Sequence, residues 1–270
     1  MRPDLRLHRK IVVIDHQVGF TGSLNMADPL TFKKEAGVGE WIDAMVRVEG
    51  PAVLAMAASF LSFWSVESGQ EASRAEWLED ARAAQSRGES CVQVLSSGPA
   101  LQVEAIEQVV LTALYSARKE VILTTPYFIP SESLLTALLS VAGSGIRVTQ
   151  IVPARVDSML VHYASQAYQG DLLQAGVDVR LYDGGLLHTK SITVDEELTL
   201  FGSLNLDPRS LRLNFEITLA VYDREFNSRV RELQQSYLAQ SRRLDLESCL
   251  ARSRAMQFFQ NTVRLVGPVL

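Results

Sequence analysis

Two short stretches of the chain repeat one pattern of reactive side chains. His8, Lys10, Asp15, Gly22, Ser23 and Asn25 recur as His188, Lys190, Asp195, Gly202, Ser203 and Asn205, each pair 180 positions apart. A single H-x-K-x4-D is weak evidence, because lone histidines are commonly structural; two copies, each followed at equal distance by Gly-Ser-Leu-Asn, mark a duplicated site. On a strand, His and Lys two residues apart share a face about 6–7 Å apart, while the Asp five residues beyond turns away. The twin H-x-K-x4-D set is the candidate catalytic set, and Asp15 and Asp195 read within it as anchors at strand ends. The glycine of the following turn permits close backbone approach, Ser23 or Ser203 offers a hydroxyl, and Asn25 or Asn205 a carboxamide. Two lysines, two serines and two asparagines converging on one point would bind a tetrahedral anion. That convergence needs the two halves to meet face to face with both histidines at the seam.

The elements around these residues alternate in type. Ile11–Ile14 and Ser191–Val194 are β-rich runs that end in Asp-containing turns. Cys91–Ser97 reads as a strand, and the next stretch as a helix with Ile106, Val109, Val110, Ala113, Leu114 and Ala117 on one face. A strand from Val121 is stopped by Pro126 and Pro130. A helix capped by Ser131 or Ser133 then carries Leu134, Leu135, Leu138 and Val141, followed by a strand over Ile146–Pro153. Phe226, Val230, Leu233 and Tyr237 form the core stripe of a late helix. Strands alternating with helices predict an α/β fold with a mostly parallel or mixed sheet covered on both faces. The expected organisation is a first half over 1–66, a polar helical or linker segment over 67–90, and a second half over 91–270.

Bulk properties narrow the function classes. The 270-residue chain is 47% hydrophobic with a formal net charge of -5, which fits a folded globular protein and lacks the basic excess of a dedicated nucleic-acid binder. No nucleic-acid partner is expected. Two cysteines, Cys91 and Cys249, make neither a disulfide framework nor a metal-ligand pair, and the four histidines offer no ligand spacing, so no metal is expected. The longest apolar run, Pro51–Trp64, is short of the roughly 20 residues of a spanning helix and is read as a buried amphipathic helix. The first ten residues resemble neither a signal peptide nor an anchor.

The doubled H-x-K-x4-D-x6-G-S-x-N resembles the signature of the phospholipase D superfamily. Further blocks, Trp41–Val53, Thr124–Pro130, Leu172–Val179 and Phe201–Glu216, are similar to the bacterial cardiolipin synthase branch. The resemblance implies a phospholipase D-like fold of two pseudo-symmetric mixed-sheet α/β halves. It also implies transfer through a covalent phosphohistidine: one histidine attacks phosphorus and the other protonates the departing alcohol, then serves as base toward the incoming hydroxyl. The near-symmetric halves leave the nucleophile open, with His8 favoured by analogy. Lys10, Lys190, Asn25, Asn205, Ser23 and Ser203 would hold the phosphate oxygens. Asp43 and Glu216 match acidic positions of the family and are expected to orient the histidines. No cofactor is implied.

The implied substrate is phosphatidylglycerol, the implied partner a membrane surface, and the implied location the bacterial cytoplasmic membrane. Hydrolysis of phospholipid or another phosphatidyl transfer, such as phosphatidylserine synthesis, uses the same chemistry with a different acceptor; an inactive lipid-binding homologue stands as the reading of another class. His16 faces Glu196 in the alignment of the copies and has no support from the duplication, and His162 is read as core or rim. Tyr127 and Phe128 fit either a lipid-facing entrance or aromatic packing, and Arg209 is a candidate headgroup contact. About ninety residues precede His188 in its half and seven precede His8. The first half is therefore expected to lack the opening strands and helices of its sheet, leaving an exposed edge.

Overall fold

A computed structural model describes residues 5–31, 34–69, 85–99, 101 and 104–266. The expected linker over 67–90 lies mostly outside them. In chain order the strands and helices are β1 (Arg6–Leu7), β2 (Ile11–Ile14), β3 (Val18–Gly22), β4 (Trp41–Ile42), β5 (Met45–Glu49), α1 (Ala52–Ser68), β6 (Cys91–Ser97), α2 (Ala105–Ser116), β7 (Glu120–Thr124), α3 (Glu132–Gly143), β8 (Arg147–Pro153) and α4 (Met159–Gln174). They continue as β9 (Asp178–Tyr182), β10 (Leu186–Leu187), β11 (Ser191–Val194), β12 (Leu198–Gly202), α5 (Pro208–Arg212), β13 (Asn214–Tyr222), α6 (Arg224–Ala239), β14 (Ser241–Arg243), α7 (Leu246–Leu250) and α8 (Arg254–Val266).

The larger sheet runs β1-β13-β12-β11-β7-β8-β9-β14, with β6 also paired to β13. β7, β8 and β9 are parallel to one another, while β11, β12 and β13 form an antiparallel meander. The main core unites Leu123, Leu134, Leu138 and Leu172 from β7, α3 and α4. On the other face, Tyr237 of α6 packs with Ile122, Ile151 and Leu187. Side-chain caps start two of the helices: Ser131, one of the two serines the sequence offers, accepts from Leu134 N–H, and Asp223 accepts from Phe226 N–H.

Among the described residues the first half repeats the meander. β2, β3 and β5 form a three-stranded antiparallel sheet equivalent to β11, β12 and β13. The α-helix that follows, α1, is buried at Val53, Leu54, Met56 and Ala57, and the core Val48, Val53 and Met56 closes on Ile217, Leu219 and Val221 of β13. The expectation of a buried helix holds for its first turns only: Phe60 and Trp64 are about half exposed, because α1 crosses a small sheet and outruns it.

The duplication shows what the first sheet lacks. In the second half, β7 pairs antiparallel with β11, and Asp195 anchors the arrangement by accepting backbone N–H bonds from Arg118, Lys119 and Glu120 at 2.8–3.0 Å. Those bonds outweigh burial and hold the Asp195 carboxyl below its usual range. β2 ends its sheet, so among the described residues no strand stands where β7 stands against β11. Its Val12 and Ile14 are 46% and 49% exposed, against 5% and 3% for Ile192 and Val194. Met26, the counterpart of buried Leu206, is fully exposed.

Lysine substitutions should read out this difference. Ile14→Lys is expected to change the unfolding free energy measured in urea by no more than about 0.5 kcal/mol and to reduce light scattering, since edge charges block strand addition. Ile192→Lys, which buries an unpaired ammonium, is expected to cost about 3 kcal/mol or more.

Candidate active site

Two pairs of very short parallel strands build the site. β1 lies beside β13 with Leu7 opposite Phe215, and the His8 N–H donates to Phe215 O at 3.0 Å. β10 lies beside β4 with Leu187 opposite Ile42, and the His188 N–H donates to Ile42 O at 2.9 Å. One residue further along each pair, register sets His8 beside Glu216 and His188 beside Asp43. The contacts follow: His8 Nδ1 lies 2.8 and 2.9 Å from the two Glu216 oxygens, and His188 Nδ1 lies 2.6 Å from Asp43 Oδ1. Each carboxylate therefore serves the histidine of the other half. This crossing is invisible to the sequence, because two-residue parallel strands leave no periodicity.

The glycine and serine of each motif hold the carboxylate strand. A Cβ on Gly22 would come 2.2 Å from Ala44 O, and one on Gly202 2.2 Å from Ile217 O, so both positions need a bare backbone. Next in sequence, Ser23 Oγ accepts the Ala44 N–H and Ser203 Oγ the Ile217 N–H, each at 3.0 Å. Ser203 donates to Glu216 and Ser23 bonds to Asp43. Both serines are 0% exposed. The expectation that they hold phosphate oxygens is thus corrected. Their hydroxyls are consumed in fixing the carboxylates, so they position rather than bind.

The lysines are pinned alike: Lys10 Nζ donates to His8 O at 2.7 Å and Lys190 Nζ to His188 O at 2.6 Å. Burial lowers the Lys10 pKa to about 8 against the pull of Glu216 and Asp43. Burial and the charge on Lys10 press Lys190 well below the ordinary lysine range, with Asp43, Glu216 and Asp207 opposing. The two ammonium groups thus feel each other and both carboxylates, which places both motifs around one centre. Burial, aided by Lys190, also lowers His188, and Asp43 opposes. Burial would raise Asp43, but its bonds from His188 and Ser23 keep it below the usual carboxylate range. The stable state is a neutral His188 that donates its Nδ1 proton to ionised Asp43, leaving the Nε2 lone pair available.

The remaining expected residues separate. Asn205 is buried and bonded to Asp207, while Asn25 is half-buried at the same turn position. Asp15 takes positive φ, like Asp195, on the exposed side of its turn. Phe128 is 2% exposed and packs edge-on against Tyr168, so packing is its role and an entrance is not. Tyr127 is half-buried and donates its hydroxyl to Asp157 at 2.6 Å. His162 bonds Gln166 on α4, and Arg209 is half-buried in the first turn of α5.

Two contributors escaped sequence reasoning. The Trp41 ring lies 4.7 Å from the His188 ring, and the Arg9 guanidinium donates to Glu216 O while stacking near Phe63 and Phe215. Trp41 stands two residues before Asp43 and was the readable signal; Arg9 aligns with Thr189 and gave none.

Comparisons with known proteins show what the chain and its fold are similar to. A family model described as cardiolipin synthase, PLD-like domain, matches residues 110–237. The fold superposes on phosphatidylserine synthase of Haemophilus influenzae Rd KW20 with a TM-score of 0.74 at 17% identity, covering 98% of this chain and 72% of that one. It also superposes on Nuc, a phospholipase D family member of Salmonella typhimurium, with a TM-score of 0.50 at 21% identity, covering 58% of this chain and 99% of that one. These structural likenesses show a phospholipase D-like fold. In sequence the chain is similar to bacterial cardiolipin synthases: it is 43% identical over 269 residues to cardiolipin synthase A of Erwinia tasmaniensis and 44% identical to that of Escherichia coli O157:H7. The chain spans 55% of the length of these relatives.

Two measurements test the electrostatics, with bis(4-nitrophenyl) phosphate as a soluble phosphodiester. Lys10 binds an anion only while protonated, so kcat/KM should fall as pH rises through about 8, and Lys10→Arg should move that limb upward. Asp43→Asn and Glu216→Gln, which keep shape but lose the charge that fixes the imidazole tautomer, should each lower turnover by roughly 10²-fold or more.

Proposed function

We propose that this chain carries the phosphatidyl-transfer chemistry of a cardiolipin synthase: a phosphatidyl group passes from one phosphatidylglycerol to a second, giving cardiolipin and releasing glycerol. The observation that supports it best is the pair of crossed histidine–carboxylate contacts with two lysines around the same centre. A phosphodiester there would place its non-bridging oxygens toward Lys10 and Lys190, where buried ammonium groups offset the charge that develops at phosphorus. One imidazole Nε2 attacks phosphorus, and the bond to the glycerol oxygen breaks as the other imidazole gives that oxygen its proton. The second imidazole then takes the proton of the incoming hydroxyl, whose oxygen displaces the histidine and restores the free imidazole.

His188, held neutral, meets the requirement of the attacking group without first losing a proton. Family analogy favours His8. Mapping the phosphorylated peptide distinguishes the two. The proposed substrate and the likeness to bacterial cardiolipin synthases support action at a membrane surface, and among the described residues no helix is long and apolar enough to cross a membrane.

Incubation with labelled phosphatidylglycerol is expected to trap acid-labile, base-stable phosphate on histidine and to yield cardiolipin. His8→Ala and His188→Ala should each lower product by about 10³-fold or more. Full product from either variant ends the proposal.

A further inference from the structure

A phosphodiester of a lipid lies at the bilayer surface, so a site that acts on it must be held at that depth. The segment between β8 and α4 forms one rim of the site. Val156 packs with Val38, Trp41 and Leu186, and Trp41 lies against His188. Asp157 takes the Tyr127 hydroxyl, and the neighbouring Ile129 N–H donates to Leu206 O, next to Asn205. Directly after this rim, at the start of α4, Met159 is 74% exposed and Leu160 50%. One turn on, Tyr163 meets Phe259 of α8 edge-to-face at 5.2 Å; Phe259 is 45% exposed and Phe258 76%. Four large apolar side chains thus stand in solvent on two packed helices beside the site.

The helix that carries the two phenylalanines is fixed in place. Gln260 donates to Gln166 at 2.7 Å, and Arg252 donates to Gln169 at 2.7 Å and to Gln166 O at 3.2 Å, which ties α8 and the turn before it to α4. From Ala251 to Val266 the sequence holds three arginines and no carboxylate, in a chain of net charge -5. In sequence the helix itself holds two of these arginines and no carboxylate, and that composition with exposed phenylalanine fits an anionic lipid surface, where aromatic and aliphatic side chains enter the headgroup boundary. The apolar residues of the first half, Val12, Ile14 and Met26, differ in kind: their twins in the second half are covered by protein.

We propose that Met159, Leu160, Phe258 and Phe259 form a bilayer-contact patch that seats the rim of the site on an anionic membrane surface. Its purpose rests on the lipid chemistry proposed above, but its test does not need turnover. Flotation of the whole chain with phosphatidylcholine vesicles containing about one-third phosphatidylglycerol should recover bound protein, and pure phosphatidylcholine vesicles should bind about tenfold less. Phe258→Ser and Met159→Gln, at the two most exposed positions, should keep the melting temperature and bis(4-nitrophenyl) phosphate turnover while lowering vesicle partition about threefold each and tenfold or more together.

Unchanged partition of the double variant overturns the patch, as does a concentration-dependent dimer in sedimentation that the double variant abolishes, since the face would then be a self-association surface. Vesicle binding that responds to these variants in a chain that never forms phosphohistidine would keep the patch and remove the transfer reading. Transfer to soluble acceptors with no vesicle binding would do the reverse.

Discussion

The structure depends on two parallel strand contacts, each two residues long. β1 against β13 and β4 against β10 set the register that brings a histidine of one half beside a carboxylate of the other. Few backbone hydrogen bonds are involved, and by themselves they contribute little, since each is worth about 1 kcal/mol net. Their stability comes from what they border: the β13 residues Ile217 and Leu219, both 0% exposed, close the core beneath the first sheet, Leu186, also 0% exposed, packs with Trp41, and Leu187 packs with Ile122 and Tyr237. Burial of each such side chain contributes roughly 1.5–3 kcal/mol. The polar site is held in place by apolar packing just below it.

That arrangement explains the division of labour within the motif. Glycine lets two backbones touch, the serine spends its hydroxyl on the partner strand and on the carboxylate, and only then do histidine and lysine remain for a ligand. The cost is concentrated at buried Lys190 and His188, whose charged forms are disfavoured by burial. Such displaced acid–base behaviour marks sites where charge is held ready for an incoming group. The two halves are alike in plan and unequal in environment: His188 is 3% exposed, and the His8 side chain is 23% exposed.

Much of this was legible in the sequence. The 180-residue offset picked out the twin motif and its strands β2 and β11, because duplication leaves residue-level traces, while the two acidic positions came from the family resemblance. The helices α2, α3 and α6 followed from apolar spacing, and α3 also from its serine cap. What escaped has a common cause. The exchange of Asp43 and Glu216 between halves, the packing of Trp41 on His188, and the inward turn of Ser23 and Ser203 are all decided by contacts between distant segments. A pattern read along one strand cannot say which distant strand lies beside it. The burial of α1 was overestimated for a related reason, since composition shows an apolar run but not the width of the surface beneath it.

The exchanged carboxylates also make the centre a reporter of its own assembly. A half that folds apart from its counterpart would carry a histidine with no anion to fix its proton and a lysine with no opposing charge. Such a half is chemically quiet. The paired charges at the centre would then be complete only once the two lobes dock.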